Sequence, residues 1–425
     1  MAIIGLAIVV LLFALGTPIW IALFTGALYL LVIVLGVPTT IIPITMFGSV
    51  DTFTLMAIPL FLVAGNIMAY GGSSPYIFDV MNRFAGKFRA GIPVATIMTA
   101  MVFGAITGST AATLAGINSI CLPNLRKAGY SDVYSASLMA CSATLGQLIP
   151  PSILMIVYGT LSLTNVGDLF ISGILPGIVT GAALGVVAWI KSPKVRNVAL
   201  QDPSIYSWKS RGEALWKGLP ALLMPVISLG GIYSGILTPT EAGAVSCVYG
   251  VIISVFVYRK MSLASIKRTL EEASYSNSMV FLLMASSLVI ALPLTYMQIP
   301  QTVAKLVVGA GLTGTPLMIV VTLIYLIMGC FIDSLPIVYL VLPIVLPALQ
   351  AGGVNLIHFN VVTVVAMLIG QITPPFGSGM YLAAKMVGAP VAEVIKGTMG
   401  YLAAMIIVLI VLIFVPQISL LLLSL

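Results

Sequence analysis

Two consecutive prolines interrupt long apolar runs at two places in this sequence, and this feature limits what the chain can fold into. The phrases are GQLIPPS, from Gly146 to Ser152, and GQITPPFG, from Gly370 to Gly377. Proline lacks a backbone donor and clashes with the preceding turn, so a helix cannot continue unbroken through either pair. Where such a break lies in hydrocarbon, the freed carbonyl groups must be buried in protein or must line a polar cavity.

Composition places these runs in a membrane. The 425 residues are 60% hydrophobic and only 7% charged, whereas soluble domains carry about 25% charged residues. Apolar runs such as 19–36, 166–190 and 400–415 approach or exceed the ~20 residues that cross a bilayer. We therefore predict an all-α polytopic membrane protein. Its apolar start lacks a basic region, so we expect a retained span there and not a cleaved signal.

Several classes of function are excluded by residues that the sequence lacks. The net charge of +7 reflects the basic bias of cytoplasmic loops, and no nucleic-acid partner is expected. The sequence has no GxxxxGK[ST] phosphate-binding motif, and its one histidine, His358 in a predicted polar turn, excludes an HExxH zinc site. The four cysteines have no CxxC spacing, so we expect inert buried thiols.

The apolar segments predict full spans, two re-entrant hairpins and two broken helices. The first hairpin has legs at 91–107 and 111–123, each too short to cross alone. The second hairpin lies within 315–350, and the two tips lie at 108–110 and 333–336. A linker is expected before residue 52, an amphipathic stretch at 74–89, and broken helices at 131–163 and 356–388. Full spans are expected at 2–16, 19–36, 53–71, 166–190, 214–233, 238–258, 277–297 and 390–418.

The second half of the chain repeats the first at an offset of 224 positions. With that shift, 122–151 aligns with 346–375 without a gap, and eight of thirty positions are identical. The identities include glycine, glutamine and both proline pairs, which chance similarity between apolar stretches would not select. We predict an internal duplication, with a first repeat over 1–190, a cytoplasmic loop over 191–213 and a second repeat over 214–425.

The two repeats are predicted to have opposite orientations in the membrane. Four full spans, and a hairpin that returns to its own side, separate the two broken helices. On this topology, seventeen of the eighteen lysines and arginines share one face, and Lys305 alone lies on the other. Basic residues mark the cytoplasmic side, so the first hairpin opens to the cytoplasm and the second opens to the outside.

Polar hairpin tips beside broken helices are typical of secondary transporters, in which unwound carbonyls hold cations and half-helix termini face the substrate. The proline pairs could instead be simple kinks. Asp333 is, on this topology, the only acidic residue deep in the membrane, which makes it a candidate ligand; it could also cap the returning hairpin leg. Gln147 and Gln371 either face the site or bond between helices. Glu241, in TPTE, is expected to form a capping box.

The motifs GAITGSTAAT, GQLIPPS, TPTEAGA and GQITPPFG, in this order, closely resemble the large membrane subunit of the tripartite ATP-independent periplasmic (TRAP) transporters. The resemblance covers essentially the entire chain. It implies an inverted-repeat, elevator-type importer of organic acids, driven by sodium, in the bacterial inner membrane. It also implies two partners, a periplasmic substrate-binding protein and a small four-helix membrane subunit, which we expect to be a separate chain.

Sodium is also favoured by the residues themselves, because a proton relay needs a chain of buried acidic or histidine side chains. We expect two sodium sites, one between each hairpin tip and the proline pair beside it. The expected sodium ligands are Gly108, Ser109, Pro150, Pro151, Asp333, Ser334, Thr373, Pro374 and Gly377. The expected substrate-binding residues are Ser109, Thr110, Gln147, Ser152, Asp333, Gln371 and Ser378.

The substrate class and one rival function stay open at this point. Helix N-termini at both tips favour an anion, and the resemblance implies sialic acid, a C4-dicarboxylate or another organic acid, with a slight preference for sugar acids. An enzyme is not expected, since a solitary aspartate and a single histidine form no catalytic set. An ion or solute channel remains the alternative, because channels also contain re-entrant hairpins.

The predicted topology can be tested with a single cysteine in the loop between the repeats. In the variant Asp202→Cys, a membrane-impermeant thiol reagent added to intact cells should leave the new cysteine unlabelled, because residues 192–212 face the cytoplasm. Ser424→Cys is the matched control and should be labelled from outside. Labelling of Asp202→Cys from outside would show that the inverted arrangement is wrong.

Overall fold

A computed structural model describes residues 2–87, 90–192 and 203–424. Within these ranges the regular structure is entirely helical, which confirms the predicted all-α class. Seven of the described helices are long and apolar enough to cross a membrane. Residues 193–202 of the predicted cytoplasmic loop, and Arg89 of the predicted amphipathic stretch, lie outside the described ranges.

The described part of the first half contains ten α-helices and three short segments of other helix types. In chain order these are α1 Ala2–Ala14, α2 Ile19–Leu28, a π-helix Tyr29–Val34, α3 Ile41–Val50, a 3₁₀ helix Phe53–Met56, α4 Ala57–Tyr70, α5 Ser74–Ala85, α6 Gly91–Thr107, α7 Thr110–Lys127, α8 Asp132–Thr144, a 3₁₀ helix Leu145–Gln147, α9 Ile153–Ser162 and α10 Val166–Lys191.

The described part of the second half follows the same plan. It contains a 3₁₀ helix Pro203–Tyr206, α11 Trp208–Tyr233, α12 Pro239–Ile252, a π-helix Ile253–Val257, α13 Leu263–Tyr296, α14 Ile299–Gly309, α15 Gly314–Gly329, α16 Ser334–Ala351, α17 Leu356–Gln371, α18 Ser378–Val387, α19 Val391–Phe414, α20 Gln417–Leu420 and a 3₁₀ helix Leu421–Leu423.

Helices recur along the chain at the offset found in the sequence. The hairpin legs α7 and α16 begin at Thr110 and Ser334, which are 224 positions apart, and they end at Lys127 and Ala351, again 224 apart. The two π-helices begin at Tyr29 and Ile253, at the same separation. The local backbone therefore repeats together with the motifs, whereas the orientation of the halves in the membrane stays a prediction.

Three helical segments differ from the sequence-based expectation. The expected linker before residue 52 contains α3, which proline-rich flanks made look irregular. Helix α13 begins at Leu263 and not near 277, because its first turns are charged and carry the i,i+4 pairs Lys267–Glu271 and Arg268–Glu272, which stabilise helices without an apolar run. Helix α14 was not predicted. It is too short and too polar on one side to read as a span.

His358 was expected in a polar turn, and this was wrong. It lies in the first turn of α17 and is only 5% exposed. The polar turn ends at Asn355, which caps the helix by accepting hydrogen bonds from the backbone N–H groups of Ile357 and His358. The capping box predicted at Glu241 is confirmed by reciprocal bonds with Thr238.

Glycines let each hairpin pack tightly against a broken helix. A Cβ atom on Gly104 of α6 would lie 2.5 Å from the Cα of Gly146, just before the first proline pair. A Cβ atom on Gly370 of α17 would lie 2.4 Å from the backbone carbon of Gly329, at the end of α15. Backbone meets backbone at both places, so each hairpin tip is held beside the break of its own half.

The far end of the first hairpin is tied to the second half. Arg126, near the end of α7, donates to Asp132 at 2.7 Å and to the backbone carbonyl of Val387 at 3.1 Å. The guanidinium lowers the pKa of the Asp132 carboxyl below its usual range. This arginine joins the base of one hairpin to the end of α18, which follows the other break.

Candidate functional site

A polar cavity of about 140 Å³ lies where the two hairpin tips meet the two broken helices. It is lined by Ser109, Thr110, Ala111, Gln147, Asp333, Gln371, Ser378, Gly379 and Leu382. Six of the seven predicted substrate-binding residues are in this lining, and Ser152 is the exception. The structure thus gathers residues from four separate stretches of sequence around one small space.

The first hairpin tip turns sharply against the first proline pair. Gly108 ends α6 in the left-handed conformation, with φ of 62°, which glycine adopts without steric cost. A Cβ atom on it would lie 2.7 Å from the carbonyl oxygen of Pro151. Two of the predicted sodium ligands, Gly108 and Pro151, are therefore neighbours. Ser109 follows in an extended conformation and lines the cavity.

Asp333 at the second tip both caps a helix and reaches a broken helix. Its Oδ1 accepts a hydrogen bond from the backbone N–H of Ser334 at 2.9 Å, which begins α16. The same oxygen accepts one from the side-chain amide of Gln371 at 2.7 Å. Capping and a place in the cavity, which were alternatives on sequence grounds, are thus compatible in one side chain.

The second break packs against the end of the first leg of its hairpin. The N–H of Phe376 donates to the carbonyl of Cys330 at 3.0 Å, and the hydroxyl of Thr373 donates to the carbonyl of Ile369 at 2.6 Å. Gly377 has φ of 45° and precedes α18. The predicted sodium ligands Thr373, Pro374 and Gly377 lie on this turn. None of these three residues lines the cavity, whereas the next residue, Ser378, does.

Hydrogen bonds cross between the two halves at the cavity. The Thr110 hydroxyl at the first tip donates to Oε1 of Gln371 at 3.1 Å. In the corresponding contact, the Ser334 hydroxyl at the second tip donates to Oε1 of Gln147 at 3.3 Å. Each tip is therefore bonded to the glutamine of the opposite half. Gln371 also donates to the Ser334 hydroxyl at 2.8 Å, which joins the two crossed bonds.

The electrostatic character of the cavity comes from one carboxylate and three helix N-termini. Asp333 is the only ionisable side chain in the lining, and α7, α16 and α18 all begin there. Helix N-termini carry unpaired N–H groups and a partial positive charge. In the described ranges no three His, Cys, Asp or Glu side chains cluster as a metal site. Hydroxyl and carbonyl oxygens would therefore have to hold a cation together with Asp333.

Ser152 lies beside the first break and outside the cavity lining. Its hydroxyl donates to the backbone carbonyl of Gln147 at 2.5 Å and accepts from the N–H of Met155 at 3.4 Å. It is the N-cap residue of α9 and is completely buried. The contacts are those of a residue that stabilises the break itself.

Three lining residues were not among the predicted site residues, namely Ala111, Gly379 and Leu382. All three follow a predicted polar residue on a helix that begins at the cavity. Leu382 lies four residues after Ser378 on α18, so helical spacing would have placed it on the same face. They were not predicted because they are apolar, and only polar residues were considered as ligands.

Comparison with known proteins identifies similar sequences along nearly the whole chain. Residues 6–418 match the family described as "Tripartite ATP-independent periplasmic transporter, DctM component". The C4-dicarboxylate TRAP transporter large permease protein DctM of Pseudomonas aeruginosa is 36% identical over 378 residues, covering 89% of this chain and 88% of that protein.

Other relatives carry the names of different cargo. The isethionate TRAP transporter permease protein DctMQ of Oleidesulfovibrio alaskensis is 35% identical over 404 residues, which are 95% of this chain and 63% of that protein. Further matched permeases are named for ectoine and for sialic acid. The solved structure of Neisseria gonorrhoeae MtrF has a TM-score of 0.60 at 13% identity and covers 88% of this chain and 83% of its own. That likeness supports the fold alone.

The position of Ser152 leads to a prediction that separates stability from binding. Ser152→Ala removes the cap of α9 and should lower the free energy of unfolding by about 1 kcal/mol, within the range of lost N-caps. The concentration of cargo that half-saturates uptake should stay at the wild-type value. Thermal unfolding in detergent and uptake assays measure the two effects. Weaker cargo binding with unchanged stability would place Ser152 in the binding site after all.

Proposed function

This chain belongs to the DctM-component family of the TRAP transporters, and on that basis we propose that it imports an organic acid in symport with sodium. The family consists of transporter permeases of the bacterial inner membrane and not of enzymes. Its large permease works with a periplasmic binding protein and usually with a small membrane subunit. For this chain we propose a small four-helix subunit on a separate polypeptide.

The cavity between the hairpin tips is the observation that carries the proposal. It is small, polar and built from corresponding parts of both halves, with Asp333 as its only charge. An anionic cargo at 4 Å from that carboxylate would be repelled by about 4 kcal/mol at an effective dielectric constant of 20. A cation bound beside Asp333 offsets this repulsion, so cargo and cation favour each other's binding. Such mutual dependence is the requirement for symport.

Two places suit the proposed sodium ions. At the first tip, Gly108 lies against the carbonyl of Pro151, and Ser109 follows it in the chain. At the second, Asp333 and Ser334 lie near the turn that holds Thr373, Pro374 and Gly377, tied there by the bond from Phe376 to Cys330. Carbonyl, hydroxyl and carboxylate oxygens are hard ligands, which favour a hard cation over a transition metal.

The volume of the cavity favours a compact cargo. Sites for drug-sized molecules usually measure about 300–1,000 Å³, whereas this cavity measures about 140 Å³. We therefore propose a C4-dicarboxylate ahead of the bulkier sialic acid. The relative from Pseudomonas aeruginosa named for C4-dicarboxylates supports the same order.

We further propose an elevator mechanism, in which both hairpins and both broken helices move as one body. The crossed bonds from Thr110 to Gln371 and from Ser334 to Gln147 support this, because neither tip can leave without breaking a bond to the opposite half. A channel would need one tip to open while the other stays in place. The packing of Gly65 on α4 against Thr107 marks one boundary across which this body would slide.

Asp333→Asn tests the role of the charge at the second tip. Asparagine caps helices as well as aspartate does, and its carbonyl oxygen can still accept from Ser334 and Gln371, so the protein should fold. Loss of the negative charge should raise the half-saturating sodium concentration at least tenfold and strongly reduce uptake. Sodium-titrated uptake in proteoliposomes measures this effect.

Ser109→Ala is the matched control at the corresponding first-tip position. It changes no charge and should weaken sodium or cargo affinity only a few-fold. A normal rate and a normal sodium dependence for Asp333→Asn would reduce Asp333 to a helix cap. The cation would then be left to the backbone carbonyls beside the prolines.

Dependence on partners separates the transporter from the channel. Proteoliposomes that contain this chain alone should show no uptake, and activity should appear when the small membrane subunit and the loaded binding protein are added. Uptake that saturates with cargo and requires both partners supports the importer. Full activity of the chain alone, or conductance without the binding protein, would contradict it.

A further inference from the structure

We propose that the two corresponding glutamines at the cavity have different roles. Gln147 donates a hydrogen bond from its side-chain amide to an oxygen of the transported acid. Gln371 does not touch the acid and is a positioning residue that holds Asp333 and both hairpin tips. This inference rests on the proposed import of an organic acid and assigns the group in the site that recognises it.

The carboxylate of Asp333 determines how Gln371 must point. An ionised carboxylate accepts hydrogen bonds and donates none, so the Gln371 atom 2.7 Å from Oδ1 must be the amide nitrogen. The amide oxygen is then turned toward Thr110, whose hydroxyl donates to it at 3.1 Å. The second N–H of the same nitrogen donates to the Ser334 hydroxyl at 2.8 Å. All donors and the oxygen of the Gln371 side chain are engaged within the protein.

The hydroxyl of Ser334 also orients the side chain of Gln147. The Ser334 hydroxyl accepts from Gln371 at 2.8 Å, and its single proton has one acceptor among the described residues, the Oε1 atom of Gln147 at 3.3 Å. Because Oε1 makes this contact, the amide nitrogen of Gln147 takes no part in it. Among the described residues this nitrogen has no protein partner, and Gln147 lines the cavity.

The difference between the glutamines arises from one departure from the repeat. Asp333 corresponds, at the offset of 224, to Ser109 in the first half. The second half thus supplies a carboxylate that engages its glutamine, whereas the first half supplies a hydroxyl that has no bond to Gln147. Both halves have the glutamine, but only the second half has a carboxylate that binds it. The side-chain nitrogen of Gln147 is therefore left without such a partner.

The unpartnered nitrogen adds a hydrogen-bond donor to the cavity lining. Gln147 and the N-terminus of α7, where Ala111 is exposed at the lining, present N–H groups. The Oδ1 atom of Asp333 is engaged by Ser334 and Gln371. A carboxylate or sulfonate group of the cargo would bind to the N–H groups, and the proposed cation would offset the like charge of Asp333.

The same substitution at both positions provides a matched comparison. Gln147→Leu and Gln371→Leu are assayed in proteoliposomes with both partners, with radiolabelled succinate, isethionate, ectoine and N-acetylneuraminate as probes. For Gln147→Leu, KM for the transported acid should rise about tenfold or more, as expected when a hydrogen bond to a charged group is lost. Its half-saturating sodium concentration should stay within twofold of the wild type.

For Gln371→Leu the pattern should be reversed. The half-saturating sodium concentration should rise several-fold because Asp333 loses its anchor, while KM for the acid at saturating sodium changes less than threefold. A purely structural role for Gln371 would lower thermal stability without shifting the sodium dependence. That result would overturn the positioning role.

Gln147→Glu sharpens the test, because it keeps an oxygen for the Ser334 hydroxyl but replaces the N–H donor with a negatively charged acceptor. Because the added charge also repels the acid, KM should rise more than in Gln147→Leu. Wild-type KM in both Gln147 variants, or equal KM increases at the two glutamines, would overturn the proposal. If uptake by the wild type does not depend on sodium, the proposed sodium coupling is wrong. The comparison of KM between the glutamine variants would still test the proposed roles, measured with the ion that does drive uptake.

Discussion

The acceptor-only carboxylate of Asp333 sets the direction of the hydrogen bonds around the cavity. Because it cannot donate, Gln371 must offer its nitrogen and Thr110 must offer its proton. The proton of Ser334, which accepts from Gln371, has Gln147 as its one acceptor among the described residues. In a membrane, polar groups left unpaired away from water are costly, so this order is strongly enforced. One side chain thereby joins both hairpin tips and both broken helices into a single unit.

The proline breaks and the close glycine contacts serve that network. The prolines end α8 and α17 early enough for Gln147 and Gln371 to stand beside the hairpin tips. Gly104 against Gly146, and Gly329 against Gly370, allow backbones to approach where any larger residue would hold them apart. A rigid frame of this kind keeps the polar groups within hydrogen-bond distance in a protein whose remaining surface is apolar.

Much of this arrangement could be predicted from the sequence, because glycine, glutamine and proline mark backbone breaks whatever apolar residues surround them. The offset of 224 therefore located both tips and both glutamines. It did not predict the crossed pairing of Thr110 with Gln371, since correspondence along the chain says nothing about which half contacts which. Helix α3 and the charged start of α13 were not predicted, because the prediction relied on long apolar runs. Prolines interrupt such a run at α3, and charged residues interrupt it at the start of α13. His358 was misplaced for a related reason, as the cap at Asn355 looks like a turn.

The magnitudes indicate which effect would govern cargo binding under the proposed mechanism. Each free helix N-terminus contributes about 0.3–1 kcal/mol to anion binding, and α16 already has Asp333 at its own N-terminus. The N-termini of α7 and α18 together thus supply less than the ~4 kcal/mol by which a carboxylate repels an anion at 4 Å and a dielectric constant of 20. Dipoles alone cannot hold the cargo beside Asp333. A bound cation can, so the affinity for the acid should depend on sodium more steeply than on any single neutral side chain in the cavity.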